Sequence, residues 1–553
     1  MSHSVQICVD ASRRIGKLEH LWNYIGYDEC NYTHSPGGQA LIGKIGTLEK
    51  PYYIRAHHML CTGICHGFYK WGSTNIYTED RNGNPVYNYE TIDRIIDIWL
   101  QNNCIPFFEL GFMPKDLADP REAENGISYS AGYGSVSEYQ LRGWCQPPKD
   151  YDKWYDLVFH LAVHLLERYG LSELEKWYFE MWNEPDIFYW HGTSEEFCRL
   201  FDYTEAALHK AVPTIRFGGP ATTGTDDPAG NASHFLRTFL EHTRSGVNYY
   251  SGKRGTRLDF TSFHTKGGNY RSDTLAEKQL PSVRTFLASV ETQSRIIREY
   301  GYGHLECVLS EADPDGWAAG GWFDNFNLYF RNTEYYASYV MSAYKNLFDL
   351  AEKLDMDIRP LAWAFMFEGE RCFEGTRSLS TQGIDKAVFN LFRMLARLGT
   401  QKVELCVSRK QSLPGFADQE PEISGWATCD SRSTLQVLVY SHHDDWDRKD
   451  CYDLSMTLKN LPMDGQVSIT HYRIDREHSN ACTEWERQGK PDWPDDGQRA
   501  AILARSGLEL FRPPEQAEIR EGMLEINCPI LTHSISLFEI RALSPETEEA
   551  FFS

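Results

Sequence analysis

Trp177-Tyr178-Phe179-Glu180-Met181-Trp182-Asn183-Glu184-Pro185 reads as a short buried strand that ends in two polar side chains and is halted by a proline. The stretch before it, DKWYDLVFHLAVHLLERYG (152–170), repeats apolar residues at three- and four-residue spacing, as a helix with one buried face does. Seven more runs share the strand-like texture: LWNYIG (21–26), YYIRAH (52–57), IPFFELGF (105–112), IRFGGP (215–220), LDFTSFHT (258–265), LECVLSEA (305–312) and LAWAFMFEG (361–369). Helical periods precede the third (89–103) and the eighth (333–354) as well. Eight strands alternating with helices predict a (β/α)8 TIM barrel, enlarged beyond the minimum of about 250 residues by loops after the second and third strands. The third carries residues 113–150, rich in Gly, Pro, Ser and Tyr, and loops at that face of a barrel shape pockets.

Beyond residue 400 the texture changes to alternating runs, TLQVLVYSHH (434–443), QVSITHYRID (466–475) and SISLFEIRA (534–542), the pattern of a C-terminal β-sandwich domain. The opening SVQICVDAS (4–12) alternates too. The expected division is a catalytic barrel over 15–400 and a β-sandwich over 401–553 joined by the N-terminal strand 1–14.

The chain has 553 residues, 24% charged and 14% aromatic, a globular balance that excludes disorder as the main state. Its net charge of −23 repels polyphosphates, so nucleic acid is not an expected partner. It contains no apolar run of membrane-spanning length, and MSHSVQICVD lacks the basic and apolar regions of a signal peptide, so the expected location is cytoplasmic, away from membranes. Fourteen cysteines without a Cys-x-x-Cys pair or a histidine cluster read as reduced, mostly buried thiols rather than metal ligands. An acidic, aromatic-rich surface suits a monomer and an oligomer alike.

In such a barrel the active site lies at the C-terminal ends of the strands. Those ends are polar here: Arg55 and His57 on strand two, Glu109 on three, Asn183 and Glu184 on four, His264 on six, Glu311 on seven and Glu368 on eight. Carboxylates inside an apolar barrel cost several kcal/mol (roughly) unless paired or solvated, so four of them near one rim call for a polar ligand. Glu311 follows Glu184 by 127 residues, three β/α units, so the two stand nearly opposite one another. Opposed carboxyls of this kind suit retaining glycoside hydrolysis, with Glu311 the nucleophile and Glu184 the acid/base, its pKa raised by the Glu311 charge and by an apolar wall for which Trp182 and Phe188 are candidates. No metal or organic cofactor is required. Glu109 reads as a loop-anchoring or supporting carboxylate. For His57 and His264 the residues alone leave structural hydrogen bonding and sugar binding open, and Trp363 is either core or a platform for the C–H face of a sugar. Lys266, two residues beyond His264, points the same way on a regular strand and could meet a uronate carboxylate.

The stretches YYIRAHHML (52–60), FFELGFMP (107–114), WYFEMWNEPDIFYW (177–190), RFGGPATTG (216–224), LDFTSFHTKG (258–267), LSEADPDGW (309–317) and LAWAFMFE (361–368) together resemble family 39 of the glycoside hydrolases over nearly the whole chain. That resemblance implies Glu184 as acid/base, Glu311 as nucleophile, and sugar contacts from His57, Asn183, His264 and Glu368; Lys266, Asp313 and Trp363 complete the expected substrate-binding set. KWGSTNIYTED (70–80) and LSTQGID (379–385) resemble the bacterial β-xylosidases of the family, whereas Glu311-Ala312-Asp313-Pro314 and Lys266 resemble its α-L-iduronidases. The resulting expectation is an exo-acting β-xylosidase on short xylo-oligosaccharides. An α-L-arabinosidase or α-L-iduronidase is the alternative, and a noncatalytic carbohydrate-binding protein the remote one.

Overall fold

The structure, a computed structural model, describes residues 3–63, 69–121, 139, 142–271, 274–318, 320–363, 365–408, 420–431 and 433–543. Much of the insertion after the third strand (122–138 and 140–141) therefore lies outside the described residues.

All eight strand-like runs are strands of one parallel sheet: Tyr24–Glu29, Tyr52–His57, Cys104–Leu110, Tyr178–Met181, Arg216–Thr222, Phe260–Lys266, Cys307–Asp313, and an eighth in two pieces, Ile358–Pro360 and Ala362–Trp363. The second piece pairs back onto the first strand, Ala362 with Ile25 and Trp363 with Gly26, and closes the barrel. A Cβ on Gly26 would lie 2.3 Å from the Trp363 ring, so closure requires a residue without a side chain there. The expected helices form as well, at Glu90–Gln101, Tyr151–Tyr169 and Glu334–Leu354.

Period-two alternation sorts the strand residues. Ile54, Phe108 and Phe179 face outward into the main core under the helices, while Tyr24, Phe107, Tyr178, Phe260, Val308, Leu361 and Trp363 form a separate cluster inside the barrel. Two residues beyond Phe107 and Tyr178 come Glu109 and Glu180, which meet Arg55 of the second strand; all three are fully buried. The barrel thus has an aromatic floor, then a charged layer, then the polar rim. Register irregularities fall at that rim, between Tyr27 and Glu29, Pro220 and Thr222, and Leu309 and Glu311. Such bulges re-aim the side chains that follow them.

The strand His3–Lys17 runs antiparallel to Gln401–Val407 and parallel to Cys451–Lys459, within a ten-stranded sheet that is otherwise antiparallel. Val5, Ile7, Val437, Val439, Phe538 and Ile540 belong to the core of this sandwich. Leu438, Tyr440, Ile535 and Leu537, on the opposite face, belong to the barrel's core instead. Both faces of Thr434–His442 are therefore covered, which explains its nearly unbroken apolar run. Polar contacts fix the junction: Ser342 and Asn346 of the long helix donate to Glu422 at 2.6 and 2.9 Å, and the Tyr335 hydroxyl donates to the Asp444 carbonyl at 2.7 Å. Leu438→Ala should cost about 2–5 kcal/mol in denaturant unfolding. A loss of only a few tenths would mean that the junction contributes little to stability.

Two helices in this region, Ala481–Arg487 and Asp496–Leu503, go beyond the sandwich expectation. At seven and eight residues they are too short to display a helical period, and capping by Asn480 and Asp495 together with packing of Trp485 and Ile502 near Phe373 and Ile384 stabilises them. The described cysteines are unbridged and most are buried. Among the described residues no helix is long and apolar enough to cross a membrane.

Candidate active site

The fourth strand ends at Met181, and the chain then turns through two non-glycine residues in the left-handed region, Trp182 (φ 65°) and Glu184 (φ 45°). Each costs about 1–3 kcal/mol, a strain typical of functional sites. The Glu184 N–H donates to the Ala221 carbonyl at 2.9 Å, and Thr193 with Glu196 forms a capping box that starts the next helix, Ser194–Ala211. The turn is thereby held at both ends.

Glu184 meets Glu311 across a cavity of about 380 Å³. One oxygen of each carboxylate and one ring nitrogen of His264 all lie within 4.8 Å of one another. His264 Nδ1 is 2.8 Å from Glu184 Oε1. Lys266 Nζ is 2.6 Å from Glu311 Oε2, while Arg55 Nη1 and His57 Nε2 stand 3.6 and 3.7 Å from Glu311 Oε1. The surroundings of the two carboxyls are thus electrically opposite. Burial and the adjacent Glu311 charge raise Glu184 to about 7. Burial would raise Glu311 too, but the charges of Lys266, His57 and Arg55 outweigh it and hold this carboxyl well below the ordinary range. One group keeps its proton near neutrality and the other does not. Burial lowers His264 to about 4, so its ring is neutral beside Glu184.

The expected binding residues divide into two sets. His57, Asn183, Lys266 and Trp363 line the cavity with the two glutamates. His264, Asp313 and Glu368 do not. His264 is fully buried and turned to Glu184. Asp313 holds Lys266, accepts from Arg377 at 2.9 Å and from the Trp363 N–H at 3.0 Å, and so supports the residues that face the cavity. Glu368 accepts from the Gly37 N–H at 2.8 Å and lines an adjoining cavity of about 210 Å³. Trp363 packs in the barrel floor and also lines the cavity, with its indole N–H donating to Asp28 at 2.9 Å. Phe188 lines the cavity as the apolar wall, together with Ile187 and Tyr189; Trp182 does not, because its N–H donates to the Tyr189 carbonyl and its ring packs edge-on against Phe112 and Trp190.

The profile of glycosyl hydrolases family 39 matches residues 5–506. The chain belongs to this family. It is therefore a glycoside hydrolase. A β-xylosidase of Geobacillus stearothermophilus is 25% identical over 513 residues, covering 90% of this chain and 87% of that one. Human α-L-iduronidase is 27% identical over 277 residues, covering 49% of this chain and 38% of that one. Among solved structures, a bacterial orthologue of human α-L-iduronidase superposes with a TM-score of 0.76 at 20% identity, covering 99% of this chain and 85% of that one. A monomeric β-xylosidase from Caulobacter crescentus gives 0.74 at 20%, covering 98% and 100%. At such identities the structures establish the shared fold.

Several supporting residues of this family-39 enzyme escape a motif search. Glu180 accepts from Arg55 at 2.6 Å, and Glu109 forms an ion pair with Arg55 at 2.9 Å and pairs with His57 Nδ1 at 2.7 Å. Asp186 accepts from the Thr223 N–H and hydroxyl at 2.9 and 2.5 Å and fixes that residue in the cavity wall. Arg377 lines the cavity and donates to the Asp315 carbonyl at 2.7 Å. Of these, Glu109 is legible as a supporting carboxylate at its strand end and Glu180 by sharing the inward parity of Tyr178, whereas Asp186 and Arg377 carry no such signal. Glu184, His264 and Glu311 also converge closely enough to hold a metal ion, but the Lys266 ammonium and Arg55 guanidinium already supply positive charge to that spot.

Lys266→Met removes a cation that favours the ionised form of both carboxyls. Both should then titrate higher, so the whole pH–activity profile should move to higher pH. An unmoved acidic limb would show that Lys266 does not set the charge of Glu311.

Proposed function

We propose that the chain is a retaining exo-β-xylosidase acting on short xylo-oligosaccharides. Glu311 attacks the anomeric carbon as a carboxylate while Glu184 passes its proton to the departing glycosidic oxygen. The sugar is then esterified to Glu311. Glu184, now ionised, takes a proton from water, the water oxygen attacks the same carbon, and the ester bond breaks to return Glu311 as a carboxylate. Two inversions give net retention. The observation that carries this reading is the pair itself: carboxylate oxygens within 4.8 Å, one group biased to be protonated and the other ionised. Oxygens no more than 4.8 Å apart are compatible with the roughly 5–5.5 Å between the carboxyl groups of retaining enzymes and support that mechanism over the about 6.5–9.5 Å of inverting ones.

His57, oriented by Glu109, and Asn183, whose side-chain oxygen accepts from Arg55 at 3.1 Å, are the hydroxyl ligands in this scheme, and Trp363 takes the apolar face of the sugar. The cavity is small for a ligand pocket, which suits removal of a terminal sugar. Lys266 and Arg377, two cations on its lining, favour a second reading in which the glycone is a uronide. Both already pair with Asp313, and Lys266 also with Glu311, so among the described residues of the lining neither cation is left unpaired for a sugar carboxylate, and the neutral pentose is preferred. Aryl β-xyloside, α-L-arabinoside and α-L-iduronide offered in parallel decide the matter. The xyloside should be turned over fastest, with the β-anomer of xylose seen first by NMR; activity confined to the iduronide would overturn the assignment.

A further inference from the structure

A second cavity, of about 540 Å³, lies where the loop after the seventh barrel strand meets the β domain, and it shares no lining residue with the catalytic one. Its walls carry six aromatic rings: Trp322, Phe326, Tyr329, Phe330 and Tyr335 from the barrel side and Trp446 from the β domain. Phe330 and Trp446 stack with centroids 6.0 Å apart and planes 14° from parallel, which fixes the junction, whereas Phe326 is 46% exposed. Rings presented in this way accept the C–H faces of a flat, partly apolar ligand.

The polar groups narrow its chemistry. His533 lines the cavity and is 4% exposed. Its Nε2 lies 3.0 Å from the Asp445 carbonyl, which can only accept, so the proton sits there and Nδ1 is a bare acceptor with no partner. Lys449, also on the lining, is exposed and has no ion-pair partner among the described residues. A hydrocarbon chain would cover the rings and leave His533 unsatisfied. A carboxylate or a fully ionised phosphate would meet Lys449 but bring His533 no proton. A hydroxyl donates to the one and accepts from the other, and a molecule that combines many hydroxyls with apolar ring faces is a sugar.

We propose that this cavity is a second, noncatalytic binding site for a saccharide. The site stands independently of which glycone Glu184 and Glu311 take. The test is calorimetry on the full chain carrying Glu311→Ala, which prevents turnover, with xylo-, cello- and manno-oligosaccharides and a glucuronic-acid-substituted xylo-oligosaccharide as probes. Phe326→Ala and Lys449→Ala are then added singly; both residues are exposed, so folding is preserved. At least one probe should show a binding event that Phe326→Ala weakens by about tenfold, with a smaller loss for Lys449→Ala. In the otherwise unaltered enzyme the same two substitutions should leave kcat/KM on a small aryl glycoside unchanged. If no probe gives a binding event that either substitution weakens, the proposal is overturned.

Discussion

Glu311→Ala should lower turnover by about four to six orders of magnitude while leaving the fold and sugar binding in place. The size follows from what is lost. Glu311 is held ionised by charged neighbours on two strands: Lys266 from the sixth, and Arg55 and His57 from the second. Without its carboxylate no group remains to form the covalent intermediate, while the cations that faced it keep their other partners, Asp313 for Lys266 and Glu109 for Arg55 and His57. Steady-state kinetics on an aryl glycoside check this. A loss below about a hundredfold would remove Glu311 from the covalent step. Azide should restore part of the activity, because a small anion can enter the vacated space and attack the anomeric carbon.

Glu184→Gln should show a different signature. In kcat/KM, which reports the first step, the proton on Glu184 is needed only when the leaving oxygen is a poor leaving group, so the loss on alkyl or sugar glycosides should reach about 10²–10⁴-fold and be much smaller on a dinitrophenyl glycoside, whereas kcat should fall on both because the base for the second step is lost. The unaltered enzyme should lose kcat/KM as pH rises through about 7, where Glu184 gives up its proton, and as pH falls well below the ordinary carboxylate range, where Glu311 gains one. The pair titrates as a coupled system, so the two limbs belong to it jointly. In Glu184→Gln the basic limb should disappear. A basic limb that persists near pH 7 would assign it to another group.

Much of this site was legible in the sequence because strand ends announce themselves. An apolar run that stops at Asn183-Glu184-Pro185, and another that stops at Glu311, give both position and spacing, and parity along Phe260–Lys266 correctly sent His264 and Lys266 the same way. Parity does not reveal which partner takes a side chain. His264 and Asp313 were expected to touch sugar, yet each is held by groups far away in sequence, Glu184 for one and Arg377 with Lys266 for the other. Arg377 and Asp186 lie in irregular segments with no period to read. Trp182 was a natural candidate for the wall beside Glu184, but its left-handed backbone turns it away from the cavity. The second cavity is formed by segments more than 100 residues apart, such as Phe326 and Trp446, and no local pattern encodes such a meeting.

The central claim is a covalent sugar on Glu311 with Glu184 as its proton donor. Its most direct test is mass spectrometry of the enzyme after reaction with the 2-deoxy-2-fluoro glycosyl fluoride of whichever glycone it hydrolyses, since the fluorine slows release of the intermediate. One fluoroglycosyl group per chain, mapped to Glu311, is the predicted result. A label on Glu184 or any other side chain, or a first-formed product of inverted configuration, would contradict it.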